Sequence, residues 1–351
     1  MPIQPKKALG QHFLHNTSIA HRIVDALLNA LPDTPSDTPQ ETPLNSSPDV
    51  SLDSRPDTPS DTPQETPLNS SPGVPLDSRP DTPSDAPLNT RPDMPPDMPS
   101  DAPLNTRPDT PAPQKTVPDK IWPVLEVGPG TGVLTDLLLQ DPAVDYYGVE
   151  LDRRAADYLH KAYPQLKGKL ICDDFLTLSP DALPEHFALI GNFPYNISSQ
   201  IFFKVLELKD RIPLVVGMLQ KEVAERFCSP PGSRAYGILS VLLQTWYTPE
   251  YLFTVAPGAF TPPPKVQSGV IRLVRNDRTV LDCPEDLYLK VIKTAFNQRR
   301  KMLSNSLKPL LKDLPRDSTQ QDNTSIDGLH RRPEQLGVED FIALTSQIAA
   351  L

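Results

Sequence analysis

Apolar residues fall at 19, 20, 23, 24, 27, 28 and 31 within Ser18–Leu31, the three-and-four spacing that lines one face of a helix. That periodicity then stops for nearly ninety residues. It resumes at Trp122–Val127 as a mostly apolar run, which reads as a buried strand. From Val124 the chain alternates strand-like and helix-like stretches: VLEVGPGTGVLTDLLL, YYGVELDRRAADYLHKAY, KLICDDFL, FALIGNFPY and IPLVVGMLQ. Alternation at this spacing predicts an α/β fold with a parallel, doubly wound sheet. Within it, Pro213–Leu219 reads as one buried strand. From Glu285 onward the pattern turns helical, predicting a small all-α region appended to the sheet.

The silent stretch is an internal repeat. The string DTPSDTPQETPLNSSPDVSLDSRP spans Asp33–Pro56, a near copy spans Asp57–Pro80, and SDAPLNTRPD occurs at Ser84–Asp93 and again at Ser100–Asp109. Between Pro32 and Pro118, 87 residues include 23 of the chain's 44 prolines and no Phe, Tyr or Trp. Proline at this density excludes helix interiors and central strands, and too little apolar surface is present to offset chain entropy. The expectation is a disordered insert, partly polyproline II, replacing a helix-to-strand loop. Lengthening such a loop about twentyfold costs only about 2–3 kcal/mol of closure entropy.

Charge changes the picture once the tract is set aside. The tract has 15 acidic and 5 basic side chains, so its net charge of −10 equals that of the whole chain, and the other 264 residues carry 29 of each sign. The folded part is therefore an electrically balanced globule without the strongly basic footprint of a simple nucleic-acid binder. Cys172, Cys228 and Cys283 are widely spaced, which suggests neither a disulfide framework nor a zinc site. His12, His15 and His21 have no acid or cysteine at ligand spacing, so no metal is expected. The first residues lack a signal peptide's apolar core, and no apolar run approaches the length of a membrane span. A soluble, cytoplasmic, monomeric protein is the expectation.

Chemistry-bearing residues cluster at the expected carboxyl ends of the strands, where doubly wound sheets bind ligands. Gly128-Pro129-Gly130-Thr131-Gly132 lies between a strand and a helix, and Glu150 ends the next strand. Glycines allow a tight turn and close backbone approach, and a carboxylate at that place accepts both hydroxyls of a ribose. Dinucleotide enzymes share this geometry, but two details favour S-adenosyl-L-methionine. The glycine spacing is G-x-G-x-G, and the third strand ends in Asp173-Asp174-Phe175, an acid for an adenine amino group beside a ring to cover the base. The fourth strand ends in Asn192-Phe193-Pro194-Tyr195. There the Asn192 side-chain oxygen and the Pro194 carbonyl can both accept from an exocyclic aromatic amine. Two accepted hydrogen bonds favour a more tetrahedral nitrogen with its lone pair aimed at a methyl sulfonium, while Tyr195 offers a stacking face.

With these residues in place, KKALGQHFL, LEVGPGTGVLT, GVELD, GNFPYNISS, MLQKEVAERF, AYGILSV, AFTPPPKVQSGVIRL and AFNQRRKMLSNSL resemble the bacterial small-subunit rRNA adenine N6-dimethyltransferase family. The resemblance covers essentially the whole chain outside the insert. It implies a Rossmann-like S-adenosylmethionine-dependent methyltransferase sheet with an all-α C-terminal domain. The implied partner is 16S rRNA, in the small ribosomal subunit or its precursor, and the implied product is two adjacent dimethyladenosines in the 3′-terminal hairpin. Carried onto matching positions, it implies cofactor contacts at His12, Leu14, Gly128, Gly130, Glu150, Asp174 and Asn192. It also implies catalytic roles for Asn192, Pro194, Tyr195 and Phe260, with Tyr195 and Phe260 sandwiching a flipped adenine. The corresponding partition is 1–31 as N-terminal segment and first helix, 32–118 as insert, 119–278 as catalytic domain, and 279–351 as helical RNA-binding domain.

Two positions depart from the family pattern: His12 where Asn is commoner, and Phe193 where Leu is usual. An imidazole replaces one amide hydrogen bond but not a donor–acceptor pair, whereas the backbone at Phe193 can still place the turn, so activity is expected to survive. Candidate RNA contacts are Lys221 with Arg226 and, above all, Arg299-Arg300-Lys301; Lys6-Lys7 and Arg331-Arg332 are further basic runs. Two competing functions use the same sequence: a large-subunit (23S) rRNA adenine N6-methyltransferase of the antibiotic-resistance type, and a mainly non-catalytic 30S assembly factor.

Overall fold

A computed structural model describes residues 11–32, 120–312 and 326–351. The disordered insert expected at 32–118, apart from Pro32, and the Lys6-Lys7 run lie outside the described residues. The described part opens with a two-residue strand β1 (Phe13–Leu14) and helix α1 (Thr17–Leu28), where the periodicity predicted a helix, and Asn16 caps α1 by accepting from Ile19 N at 3.1 Å. Then come β2 (Trp122–Val127), α2 (Val133–Leu139), β3 (Val144–Val149), α3 (Arg153–Ala162), β4 (Leu170–Ile171), β5 (Ala188–Asn192), α4 (Ser198–Glu207), β6 (Leu214–Gln220) and α5 (Lys221–Cys228). The chain continues through α6 (Ile238–Trp246), β7 (Tyr247–Val255), β8 (Phe260–Thr261) and β9 (Ser268–Arg275). The described helical end comprises α7 (Glu285–Asn297), α8 (Leu303–Ser306), α9 (Lys308–Lys312) and α10 (Val338–Ala349).

Among the described residues, seven strands form one sheet in the order β4-β3-β2-β5-β6-β9-β7, and β1 and β8 pair with each other as a separate two-stranded sheet. Strands β2 to β6 run parallel to one another, and at one edge β9 runs antiparallel to both β6 and β7. The sheet is covered on both sides because its strands alternate between two apolar clusters. In β5, Ala188 and Ile190 face the cluster made by α1, α2 and α3, whereas Leu189 faces α4, α5 and α6. Likewise in β6, Leu214, Val216 and Met218 face one side, Val215 and Leu219 the other. The third expected strand is the least developed, since only Leu170 and Ile171 pair with β3.

The C-terminal helices enclose a third cluster that includes Tyr288, Val291, Ile292, Leu303, Phe341 and Ile348. Tyr236, Val241 and Leu242 belong to it too, so α6 packs Leu239 and Leu243 against the sheet while other side chains face the helical end. A buried hydrogen bond of 2.8 Å between the hydroxyls of Thr245 and Tyr288 crosses this junction. At the amino edge of the sheet, Trp122 Nε1 donates to Pro32 O at 2.8 Å. The chain therefore leaves α1 and enters β2 at the same place.

Candidate active site

The loop after β2 needs left-handed backbone at Gly128 (φ +72°), Gly130 (φ +59°) and Gly132 (φ +85°), a region open mainly to glycine. Space is as restrictive at the middle position, where a Cβ at Gly130 would stand 3.0 Å from the ring of Phe13. Phe13 comes from β1, fastened over the loop by its pairing with β8 and by His15 N donating to Ala259 O at 3.0 Å. Under this cover lies Glu150, the residue after β3. Its Oε2 accepts from Gly130 N and its Oε1 from Asp152 N, both at 2.8 Å. Burial pushes the Glu150 carboxyl above the usual range, and these backbone donors oppose the shift.

A cleft of about 910 Å³ opens beside the loop, and His12, Gly128, Gly130, Glu150, Asp174, Asn192, Pro194 and Tyr195 all line it. Asp174 is half-buried, with Oδ1 accepting from Leu176 N at 2.9 Å, and buried Phe175 lies beside it in the wall. Asn192 ends β5, and its Nδ2 donates to His12 O at 2.8 Å. That bond commits the amide nitrogen and leaves Oδ1 as the accepting end. The Pro194 carbonyl accepts from Ile197 N at 3.2 Å, which leaves one lone pair for another donor. The Tyr195 ring lies 5.3 Å from the His12 ring, tilted by 32°, and His12 Nδ1 is 2.9 Å from Pro262 O.

Two expected members do not line this cleft. Phe260, expected across the target base from Tyr195, is only 2% exposed and pairs with Leu14 across β1 and β8, its ring packed in the apolar cluster of α1, α2 and α3. The strand pairing turns it inward, and the ring beside Tyr195 in this structure is that of His12. Leu14 itself lines a small recess beneath the glycine loop together with Glu126, Phe13 and Asn192. The expected RNA contacts also separate. Lys221 begins α5, within 3.8 Å of Glu225 and 3.3 Å of Gln267 Oε1, and Arg226 is exposed on the same helix. Arg299, Arg300 and Lys301 instead line a second cleft of about 1440 Å³ with Arg234, Arg332 and Glu334.

Several residues at the site escaped the sequence reading. Glu126 is 2% exposed beneath the glycine loop, and its Oε2 accepts from Thr135 Oγ1 at 2.6 Å and Tyr146 OH at 2.9 Å. Burial raises its carboxyl to about 7 against these two hydrogen bonds. An acid inside the apolar run Trp122–Val127 was the visible signal. Ser268 bonds Tyr195 from a strand 73 positions away, which no local pattern announces.

The profile of the ribosomal RNA adenine dimethylase family matches residues 113–340. Ribosomal RNA small subunit methyltransferase A of Parabacteroides distasonis is 56% identical over 228 residues, covering 64% of this chain and 83% of the relative. The Flavobacterium johnsoniae protein of the same description is 53% identical over 230 residues, covering 65% and 85% respectively. Among solved structures, a dimethyladenosine transferase from Plasmodium falciparum superposes with a TM-score of 0.54 at 23% identity, covering 65% of this chain and 90% of that one. That last likeness concerns the fold. Glycine loop, acid-lined cleft and Asn-Phe-Pro-Tyr turn thus stand within a matched sequence, and the chain belongs to the ribosomal RNA adenine dimethylase family.

Proposed function

We propose that this chain transfers methyl groups from S-adenosylmethionine to N6 of two adjacent adenosines in the 3′-terminal hairpin of 16S rRNA. The observation that carries this reading is the Asn192 amide, tied by its nitrogen to His12 O and so left with Oδ1 turned to an incoming amine. The residues present fit the methyl donor. Glu150 holds each carboxylate oxygen on one backbone N–H, and each oxygen keeps a lone pair for a ribose hydroxyl. Asp174 and Phe175 suit an adenine, and the glycine loop suits a closely approaching main chain. When bound, S-adenosylmethionine supplies a methyl group on a cationic sulfonium.

The chain's own contribution is alignment. Asn192 Oδ1 and the remaining lone pair of Pro194 O accept from the two N–H groups of the target amine, turning its lone pair out of conjugation with the ring. Tyr195 carries the base by stacking. A stacked base within RNA is out of reach, so the target adenosine is taken flipped out. No strong base is required, because the proton leaves after the nitrogen has become cationic.

RNA affinity is proposed to reside in the second cleft, with residues 279–351 supplying most of it. Arg234, Arg300, Lys301 and Arg332 line it without an ion pair among the described residues, a concentration of unneutralised charge that suits a phosphate backbone. Arg299 belongs to the architecture instead. Its guanidinium spans Glu334 (3.1 Å) and the carbonyls of Ser233 (3.2 Å) and Arg234 (2.7 Å).

Primer extension on ribosomal subunits treated with protein and S-adenosylmethionine tests this function, since dimethylation blocks the pairing edge of adenine. A stop at the paired adenosines near the 3′ end of 16S rRNA is expected. A stop only in 23S rRNA, or none with S-adenosylmethionine bound, would overturn it in favour of the large-subunit enzyme or the assembly factor.

A further inference from the structure

We infer that Ser268 is a positioning residue for the reaction: its hydroxyl holds the Tyr195 ring at the height and angle from which the target base is presented. The inference rests on the function proposed above. Ser268 opens β9, is fully buried, and is flanked in register by Gln220 of β6 and Val255 of β7. The neighbouring buried positions Val270, Ile271 and Leu273 are apolar. A hydroxyl at such a place is costly unless bonded. Its side-chain partner is Tyr195 OH, at 2.6 Å.

Tyr195 is half-buried in a way that matches this task. Its ring stands in the cleft wall, and its hydroxyl points into the sheet. Ser198 Oγ donates to the Tyr195 carbonyl at 3.2 Å, fixing the backbone end. With both ends tied, the two side-chain torsions of the tyrosine are set before any base arrives. A platform left free to turn would have to be ordered by the substrate, and misalignment at the reacting atoms is felt in rate.

Two single variants and their combination decide the matter, using the full chain with unmethylated 30S subunits. Tyr195→Phe keeps the ring and removes the bond from one side; Ser268→Ala removes it from the other. Each is expected to lower kcat about five-fold, the value of one ordinary hydrogen bond. Because RNA affinity depends mainly on phosphate contacts, KM for 30S should change little, and S-adenosylmethionine binding should be unchanged. The double variant should be no slower than the slower single one, since both remove the same interaction. Multiplying losses, or a Ser268→Ala enzyme with wild-type kcat and only a lowered Tm, would overturn the inference. An unaltered chain that binds S-adenosylmethionine but leaves 30S subunits unmethylated would instead sink the functional reading, and this inference with it.

Discussion

At Gly217, in the middle of β6, a Cβ would run into the ring of Phe193, which fills the space above that glycine and reaches toward Gly191 as well. Phe193 is 1% exposed and meets Phe202 edge-on at 5.6 Å. The side chain between Asn192 and Pro194 is therefore what seats the Asn192–Tyr195 turn, and it fits only because residue 217 is glycine. Gly217→Ala should force the ring aside, at about 1–3 kcal/mol for overpacking, and depress methylation by at least tenfold. Adding Phe193→Leu to that variant should restore most of the rate by vacating the space. A double variant as slow as Gly217→Ala alone in the same assay would contradict this. Glu126 makes a second prediction at this scale. Its carboxyl lies at about 7 in the folded chain against 4.5 ordinarily. Between those values the unfolded chain releases a proton that the folded chain keeps, so stability falls as pH rises through the window and levels off above it. The loss is about 3 kcal/mol. Glu126→Gln should lose this dependence, and its Tm should rise relative to wild type between pH 5 and pH 8; parallel Tm profiles would refute it.

Among the elements, those whose chemistry follows from local spacing were legible beforehand. Strand β2 has the predicted bounds, the helix expected at Ser18–Leu31 runs over Thr17–Leu28, and α7 starts at the expected Glu285. Three residues bound to the loop after β2 and to the ends of β3 and β5, Gly128, Glu150 and Asn192, meet in one cleft as their places along the sequence suggested. What stayed hidden depends on pairing between distant segments. The β1–β8 pairing brings Phe13 onto Gly130 and turns Phe260 into the core, and nothing in either segment alone signals the other. The basic run at Arg299-Arg300-Lys301 was visible, but the ties of Arg299 were not, because its acceptors lie 65, 66 and 35 positions away. Replacing Arg300 or Arg332 by Gln should flatten the dependence of log RNA affinity on log salt by about one unit each. Arg299→Gln should lower Tm instead; an equal change in salt slope at position 299 would show it to be a phosphate contact.

For the molecule as a whole, the average composition misleads. The acidic balance belongs to the tract between Pro32 and Pro118, and the remaining chain is neutral, with 29 charges of each sign. Its cations matter through placement: Arg234 and Arg332 come from segments about a hundred residues apart to line one cleft. The bond from Trp122 to Pro32 puts both ends of the long connection at the amino edge of β2, the end of that strand away from the glycine loop. The described ends of that connection thus leave the sheet opposite its carboxyl edge, where doubly wound sheets bind ligands. Among the described residues no helix is long and apolar enough to cross a membrane. On the proposed function, this scaffold methylates the small-subunit hairpin by holding an adenine amine against Asn192 and Pro194. Mass analysis of that hairpin, cut from unmethylated 30S subunits after incubation with the chain and S-adenosylmethionine, is the decisive measurement. Two methyl groups on each of the two adjacent adenosines are expected, and none with Asn192→Ala at equal folding and cofactor binding. An unmodified hairpin with the wild-type chain, or full methylation by the Asn192→Ala variant, would contradict it.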